Sequence, residues 1–312
     1  MPVGAQPTDS PAPGGVGIRL LEAPVALRND PRAQAYIIDN LAPGTQITRR
    51  IEVSNGTERE QMISLYPAAA TISDSGGFEV GEDRAVNELT TWMQVSPGEV
   101  TVAAHSAAEA TVTIDVPADA PEGEQYAVVW AQMAGQRTSA GIQNVSRAGI
   151  RTYLSVGPGN GPAADFRITG MSAHRSDTGA PQVLAEVANT GGRAIDPTGT
   201  LTLSGGPGGV STTPVTSSGG SVAPGKTGTI TFTLDPALAA GPWNAAADIN
   251  SGLISHSSHG SLTFPAEGST EATASTSDTG TPSWVWATPV AAVAVVAGAG
   301  VLFLARRRRK TH

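Results

Sequence analysis

The chain has 312 residues, 27 acidic side chains against 19 basic ones, a formal net charge of −8 and no cysteine. This length is enough for about two domains, and the lack of cysteine excludes disulfide bonds as their support. Because every acidic residue precedes Trp284, the part before it is strongly acidic. It is a poor candidate for binding nucleic acid or anionic lipid.

The N-terminal region predicts a flexible lead over residues 1–16, which are rich in proline, glycine and serine. An exported protein needs a signal peptide, and residues 1–13 contain neither its basic region nor its apolar region. Small side chains at Val3 and Ala5 nevertheless match a cleavage site before Gln6. We therefore expect the signal peptide to lie upstream of this sequence.

Short segments with β-branched residues follow from residue 17 to residue 156, and a turn separates each from the next. Residues 110–116 (ATVTIDV) are typical: they alternate as a half-buried sheet surface requires, and Pro117 ends them. One short helical turn is predicted within residues 85–94. Strands this short, with a turn about every 10 residues, predict an all-β immunoglobulin-like sandwich.

A glycine- and proline-rich linker, residues 157–164, separates this domain from a second predicted sandwich at residues 165–265. An internal repeat connects the two domains, because EVSNGT at residues 52–57 is echoed by EVANTG at residues 186–191. Residues 266–283 have almost no apolar content, so they predict a disordered stalk.

The C-terminal region contains 22 residues without a charge, 284–305. As a helix they would span about 33 Å, enough for a hydrocarbon core of about 30 Å. Trp284 and Trp286 would lie at the outer interface. A buried core helix is the alternative, but it would not be apolar all round and end in cations. The cations that mark the cytoplasmic end, within the tail 306–312, are Arg306, Arg307, Arg308, Arg309 and Lys310.

Five pieces of the first domain carry a resemblance to a known family. They are GIR at 17–19, LAPG with the following strand at 41–55, WMQVSP at 92–97, VPADAPEG at 116–123 and RAGIRTYL at 147–154. In this order they resemble the WxL-interacting protein family of Gram-positive cell surfaces.

The resemblance implies a peptidoglycan-binding first domain, a second domain that binds a secreted WxL-type or host protein, and one membrane helix in the lipid bilayer. The second domain departs from the family, with extra glycine at 204–209 and 217–220. We therefore expect a single-pass cell-surface protein of a Gram-positive-type bacterium, with its sandwiches outside and its C-terminus in the cytoplasm. It would bind peptidoglycan, another exported protein, or both.

Four residues of the first domain are candidate glycan contacts. The rings of Trp92 and Tyr126 could stack on sugars or could fill the core. Arg147 and Arg151 could hold carboxylates through a bidentate fork, or could form ordinary surface ion pairs. Trp130, with apolar neighbours on both sides, is predicted to lie in the core.

The sequence contains no recognisable catalytic, cofactor-binding or metal-binding residues. His256 and His259 are near each other in sequence, but no acidic or third ligand accompanies them. GGPGG at 205–209 lacks the lysine of a phosphate loop and predicts a hairpin loop. We expect a protein that is not an enzyme and uses no cofactor; a wall hydrolase has no supporting residues.

A sortase-processed or stalk-like adhesin, with the sandwiches as spacers, is the alternative function. The tail shares the apolar and basic parts of a sorting signal. The nearest match to a sorting pentapeptide, SDTGT at residues 277–281, lacks the Leu-Pro pair.

Overall fold

Alternation of apolar and polar residues builds most of the structure as strands. In the segment TGTITFT (Thr227–Thr233), for example, Ile230 and Phe232 are fully buried while the threonines that alternate with them are exposed. The computed structural model describes residues 15–137, 143–159, 161–265 and 273–278. Buried apolar residues form one large core between Val16 and Val156 and another between Phe166 and Phe264. The predicted all-β class is therefore confirmed.

The first sandwich begins at Val16 and its last strand ends at Val156. Its strands are β1 (Val16–Leu20), β2 (Ile37–Leu41), β3 (Gln46–Asn55), β4 (Gln61–Ile72), β5 (Phe78–Val80), β6 (Met93–Ser96), β7 (Glu99–Val102), β8 (Ser106–Asp115), β9 (Gly123–Arg137) and β10 (Gln143–Val156). One sheet has the order β1-β3-β8-β6, and the other has the order β2-β10-β9-β4, with β5 and β7 both paired to β4.

Two short helices accompany these strands. Helix α1 (Pro31–Ala35) begins after Asp30, whose side chain accepts a hydrogen bond from the Arg32 amide. Helix α2 (Glu88–Trp92) lies inside the predicted helical turn and begins at an Asn87 capping box. Helix α1 interrupts the first strand of the sandwich, so β1 pairs with β3 in one sheet and β2 pairs with β10 in the other.

The second sandwich follows the same plan. Its strands are β11 (Phe166–Arg175), β12 (Pro181–Asn189), β13 (Thr198–Ser204), β14 (Val215–Ser218), β15 (Thr227–Thr233), β16 (Trp243–Ser251), β17 (Ile254–Thr263) and β18 (Thr273–Asp278). One sheet has the order β11-β12-β15, and the other has the order β14-β13-β16-β17-β18. The glycine-rich residues 205–209 lie in the loop between β13 and β14.

The internal repeat places one asparagine at the same point of each sandwich. The Asn55 amide donates to the carbonyls of Arg59, Val102 and Ala103 at 2.7, 3.0 and 3.1 Å. The equivalent Asn189 amide donates to the carbonyls of Arg193 and Val222 at 2.8 and 2.9 Å. Both asparagines are almost fully buried. Each side chain therefore joins the end of one strand to the loop before another strand of its sandwich.

Two predictions for the C-terminal region have different outcomes. The sequence predicts a disordered stalk over residues 266–283, but Thr273–Asp278 form β18 and pair with β17. An added edge strand is held by main-chain hydrogen bonds, so it needs no apolar side chains.

Segment 284–305 and the basic tail lie outside the residues that the structure describes. Within those residues, no helix has the length and apolar character needed to cross a bilayer. The membrane anchor stays a prediction.

We expect Asn55→Ala and Asn189→Ala each to lower the free energy of unfolding by about 1–3 kcal/mol, because buried carbonyls lose their donor. Urea unfolding of the purified chain measures this loss. The exposed Asn144→Ala is the control, with an expected change within about 0.5 kcal/mol. Equal, small changes in all three variants would contradict the structural role of the repeat.

Candidate functional site

Of the two tryptophans of the first domain, Trp92 takes one of its two predicted places and Trp130 does not lie where the sequence predicted. Trp92 lies in the first core and is only 9% exposed, which favours packing over glycan contact. Trp130, predicted for the core, instead packs on the opposite face of its sheet against Tyr66, Ala68 and Val128. The reason is the period of the strand: the residues on either side of Trp130 face the core, so its own side chain faces away.

The other three candidates also make internal contacts. Arg147 pairs with the exposed Asp83 at 2.9 Å, which is the surface ion pair given as the alternative. The Tyr126 hydroxyl donates to Glu124 at 2.7 Å, and its ring meets the Tyr153 ring edge to face. Arg151 lies over the Phe78 ring at 4.9 Å. The four glycan candidates therefore do not form one site, although Tyr126 and Arg151 both lie where the two sandwiches meet.

A partly buried carboxylate, Asp196, lies at the centre of this interdomain junction. The Arg32 guanidinium of α1 contacts it at 2.7 Å, and the Tyr153 hydroxyl of β10 donates to it at 3.2 Å. Ser221 of the second sandwich donates to the same carboxylate. Desolvation and the charge of Asp196 raise the pKa of Tyr153 to about 12, so the hydroxyl keeps its proton and remains a donor.

A second partly buried carboxylate, Glu124, connects the sandwiches beside the first. It accepts hydrogen bonds from the Ala194 amide at 2.6 Å and from the Tyr126 hydroxyl at 2.7 Å. Burial raises the pKa of Glu124 above its ordinary value, because the charged form loses its hydration. Burial also raises the pKa of Tyr126, and the neighbouring Glu124 charge adds to the effect.

Main-chain contacts bring the sandwiches together at the same place. The Gly77 amide donates to the Ser221 carbonyl at 2.9 Å. A Cβ added at Gly220 would lie 2.8 Å from the Gly77 nitrogen, so no side chain fits between the two loops. Both sandwiches belong to one compact unit of the chain. The junction therefore holds β10 in a defined position beside the second sandwich.

The described residues contain no group of three His, Cys, Asp or Glu side chains that could hold a metal ion. His256 contacts Asp165 at 2.9 Å and packs edge to face on Phe166. His259 is three residues along the same strand, so it points to the opposite face of the sheet. The two imidazoles therefore cannot share a ligand.

The first sandwich has a long strand edge that no described residue covers. Strand β10 pairs with β9 along its whole length, but β2 covers its other side only at residues 152–156. We call the uncovered main chain of residues 143–151 the free edge. Within it, Ile150 is buried and Ala148 packs against the first core, whereas Val145 is 49% exposed. Ile18 of β1 packs against that same core, and β1 lies beside β10.

The corresponding edge of the second sandwich is occupied. Apart from the added strand β18, the second sandwich begins with β11 and ends with β17, as the first sandwich begins with β1 and ends with β10. Strand β18 pairs antiparallel with residues 258–263 of β17 and also lies beside β11. The edge of β17 is therefore paired with an extra strand. The edge of β10 has no partner among the described residues along 143–151.

No protein-family model and no curated protein matches this sequence. Solved structures with a similar fold include a complex of SafA pilin with the SafB chaperone from Salmonella enterica. That match has a TM-score of 0.43 and 13% identity, and it covers 80% of this chain and 97% of that one. The CupB2 chaperone of Pseudomonas aeruginosa has a TM-score of 0.38 and 13% identity, covering 71% and 95% of the two chains.

A third similar structure is the CsuC–CsuE chaperone–tip adhesion subunit complex from Acinetobacter baumannii. Its TM-score is 0.38 and its identity is 13%, with 72% of this chain and 94% of that one covered. At this level the likeness concerns the immunoglobulin-like fold and assigns no residue a role. The resemblance to WxL-interacting proteins stays a prediction.

The predicted peptidoglycan-binding function is wrong. The solved structures named above are of chaperones, two of them in complex with a pilin or a tip adhesion subunit, and neither peptidoglycan nor the lipid bilayer finds support as a partner. The physical reason lies in the site: Trp92 is in the core, and Tyr126, Arg147 and Arg151 already have partners within the chain. We therefore drop the wall-binding prediction together with its spacer alternative.

We expect Asp196→Ala to lower the free energy of unfolding by about 3–5 kcal/mol, because it leaves the largely desolvated Arg32 charge without its carboxylate. Urea unfolding measures the loss, and small-angle X-ray scattering detects any change in how the sandwiches are joined. Glu52→Ala is the matched control, since it removes the exposed ion pair with Arg19 and should cost at most about 1 kcal/mol. Similar losses in both variants would contradict a central role for Asp196.

A pH dependence of stability follows from the partly buried Glu124. Because its pKa in the folded state lies above the ordinary value of 4.5, the folded state holds this proton more tightly than the unfolded state. Its contribution to stability therefore falls as the pH rises through the window above 4.5.

We expect Glu124→Gln, which keeps an acceptor but carries no charge, to be more stable than the parent at neutral pH. The difference should shrink on acidification and vanish below the ordinary carboxyl pKa. Urea unfolding at a series of pH values measures it, with the exposed Glu79→Gln as the control. A difference that grows on acidification would show that the sign is wrong.

Proposed function

We propose that this chain is a non-enzymatic binding protein that holds an extended segment of another protein by β-strand addition. The site is the free edge, residues 143–151 of β10. Strand addition uses main-chain groups for affinity and alternate side chains for specificity. It requires a strand with an unpaired side, which residues 143–151 of β10 have among the described residues.

The observation that carries the proposal is the pairing of β18 with β17. Here the molecule itself adds a strand to the last strand of a sandwich, in the seam beside the first strand. Strand β10 has the place of β17 in the plan of the first sandwich, but β2 already covers its C-terminal residues 152–156 and leaves residues 143–151 open. Strand β17 pairs with an added strand, β18, of its own chain. By analogy, β10 would pair with a strand of another protein along residues 143–151.

The side chains beside the free edge suggest the pattern of the bound segment. On one side, Ile18 and Ala148 are partly buried against the first core, so small apolar residues of a bound segment would extend that core. On the other side, Val145 is exposed. Successive residues of a strand point to opposite faces. A bound segment would therefore carry apolar residues at every second position.

The interdomain junction gives the free edge a fixed end. Arg151, the last residue of the edge, donates to the Ser221 hydroxyl at 3.3 Å and lies 3.7 Å from the Asp196 carboxylate. A segment that runs along β10 toward this residue would meet the second sandwich. Both sandwiches can therefore contribute to one binding surface.

To test this, decapeptides would be selected by phage display against the purified chain and labelled with fluorescein. Anisotropy would measure their affinity, and amide hydrogen exchange would locate the bound peptide. We expect slower exchange within residues 143–151. We also expect Val145→Lys to weaken binding about tenfold or more, because charged residues block strand addition at an edge.

Met62→Lys is the matched control. Met62 is also a strongly exposed apolar residue of the first sandwich, but it lies on β4, where it pairs with Thr101 of β7; β9 pairs with β4 from Ile63 onward. Its substitution should leave the affinity unchanged. Peptides that bind without protecting residues 143–151, or that bind Val145→Lys as well as the parent, would contradict the proposal.

A further inference from the structure

Strand β18 has little in its sequence that could anchor it. The segment reads TASTSD, and Ala274 is its only apolar residue. Six register pairs, from Ser258 with Asp278 to Thr263 with Thr273, connect it to β17. Main-chain hydrogen bonds therefore supply most of the attraction, and each contributes only about 1 kcal/mol net.

Strand β17 does not depend on β18 for its own place in the sheet. It pairs with β16 along nine register positions, from Ser251 with Ile254 to Trp243 with Leu262. Its other edge can therefore lose one strand and receive another while the sheet itself stays intact. An edge of this kind is a template for any strand that presents the same main-chain groups.

We propose that β18 can be exchanged between two copies of this chain. The edge of β17 would pair with Thr273–Asp278 of a second copy in the same way as it pairs with Thr273–Asp278 of its own chain. The incoming strand is identical, so it forms the same register and the same hydrogen bonds. Two copies that each give β18 to the other form a closed pair with two-fold symmetry. This partner surface lies on the second sandwich and is independent of the proposed site on β10.

The second copy is the occupant that the structure favours. The pairing register already shows that this sequence fits this edge. Seven residues, 266–272, separate β18 from the described end of the second sandwich, and none of them is a large apolar residue. A short tether gives the chain's own strand an effective concentration on the order of millimolar. Exchange should therefore increase when copies are concentrated.

The absence of cysteine from the whole chain makes a direct test possible. Ser261 and Ser275 are register partners across β17 and β18. Cα atoms of directly opposite residues in an antiparallel pair lie about 4.5–5.5 Å apart, within the range that a disulfide bond spans. In the full chain, the double variant Ser261→Cys with Ser275→Cys should close a disulfide within one molecule on mild oxidation.

The exchange itself is measured by mixing two single variants. A full chain with Ser261→Cys is incubated with an affinity-tagged full chain with Ser275→Cys and then oxidised. We expect a covalent heterodimer on a non-reducing gel, with a disulfide between residues 261 and 275 found by mass spectrometry. Its yield should rise with the protein concentration during mixing.

Ser255→Cys mixed with Ser275→Cys is the matched control. Ser255 is also exposed on β17, but it pairs with Asn250 and lies beyond the stretch that β18 covers. This mixture should give several-fold less heterodimer. An equal yield would mean random collision and would overturn the proposal. An internal disulfide in the double variant with no heterodimer in the mixture would also overturn it, as would the lack of a disulfide in both.

Discussion

The salt bridge between Arg32 and Asp196 is the interaction on which the arrangement of the two sandwiches depends. Both charges are largely removed from water, so each is tolerated only while its partner is in place. Tyr153 and Ser221 complete the hydrogen bonds of the carboxylate. One partner comes from α1, one from β10 and one from the second sandwich. A rotation of one sandwich that separated Arg32 from Asp196 would leave a largely desolvated charge without its partner.

This constraint positions the strand that carries the proposed function. Tyr153 and Arg151 both belong to β10, so the network that joins the sandwiches also fixes the end of the free edge. The uncovered residues 143–151 then extend from a rigid point. A strand that binds there loses little free energy to reorganisation of its receptor, because the receptor is already ordered.

The two sandwiches show two outcomes of one architecture. Each leaves an edge at its last strand, and an unprotected edge tends to pair with another chain. In the second sandwich β18 covers that edge. In the first, β2 covers residues 152–156 and no described residue covers the rest. One fold can therefore supply a self-covered edge and an open one, and only the length and path of neighbouring segments differ.

The sequence by itself determined the all-β class, the approximate strands and turns, the helical turn at α2, and the repeat that places Asn55 and Asn189. These features depend on neighbours in the chain, on a period of two and on local turn chemistry, so a single sequence contains them. Only the tertiary structure decided that Trp92 is buried, that Arg151 meets the second sandwich and that β18 joins β17. Those contacts join residues far apart in sequence, and their partners are set by packing and register, which no local pattern encodes.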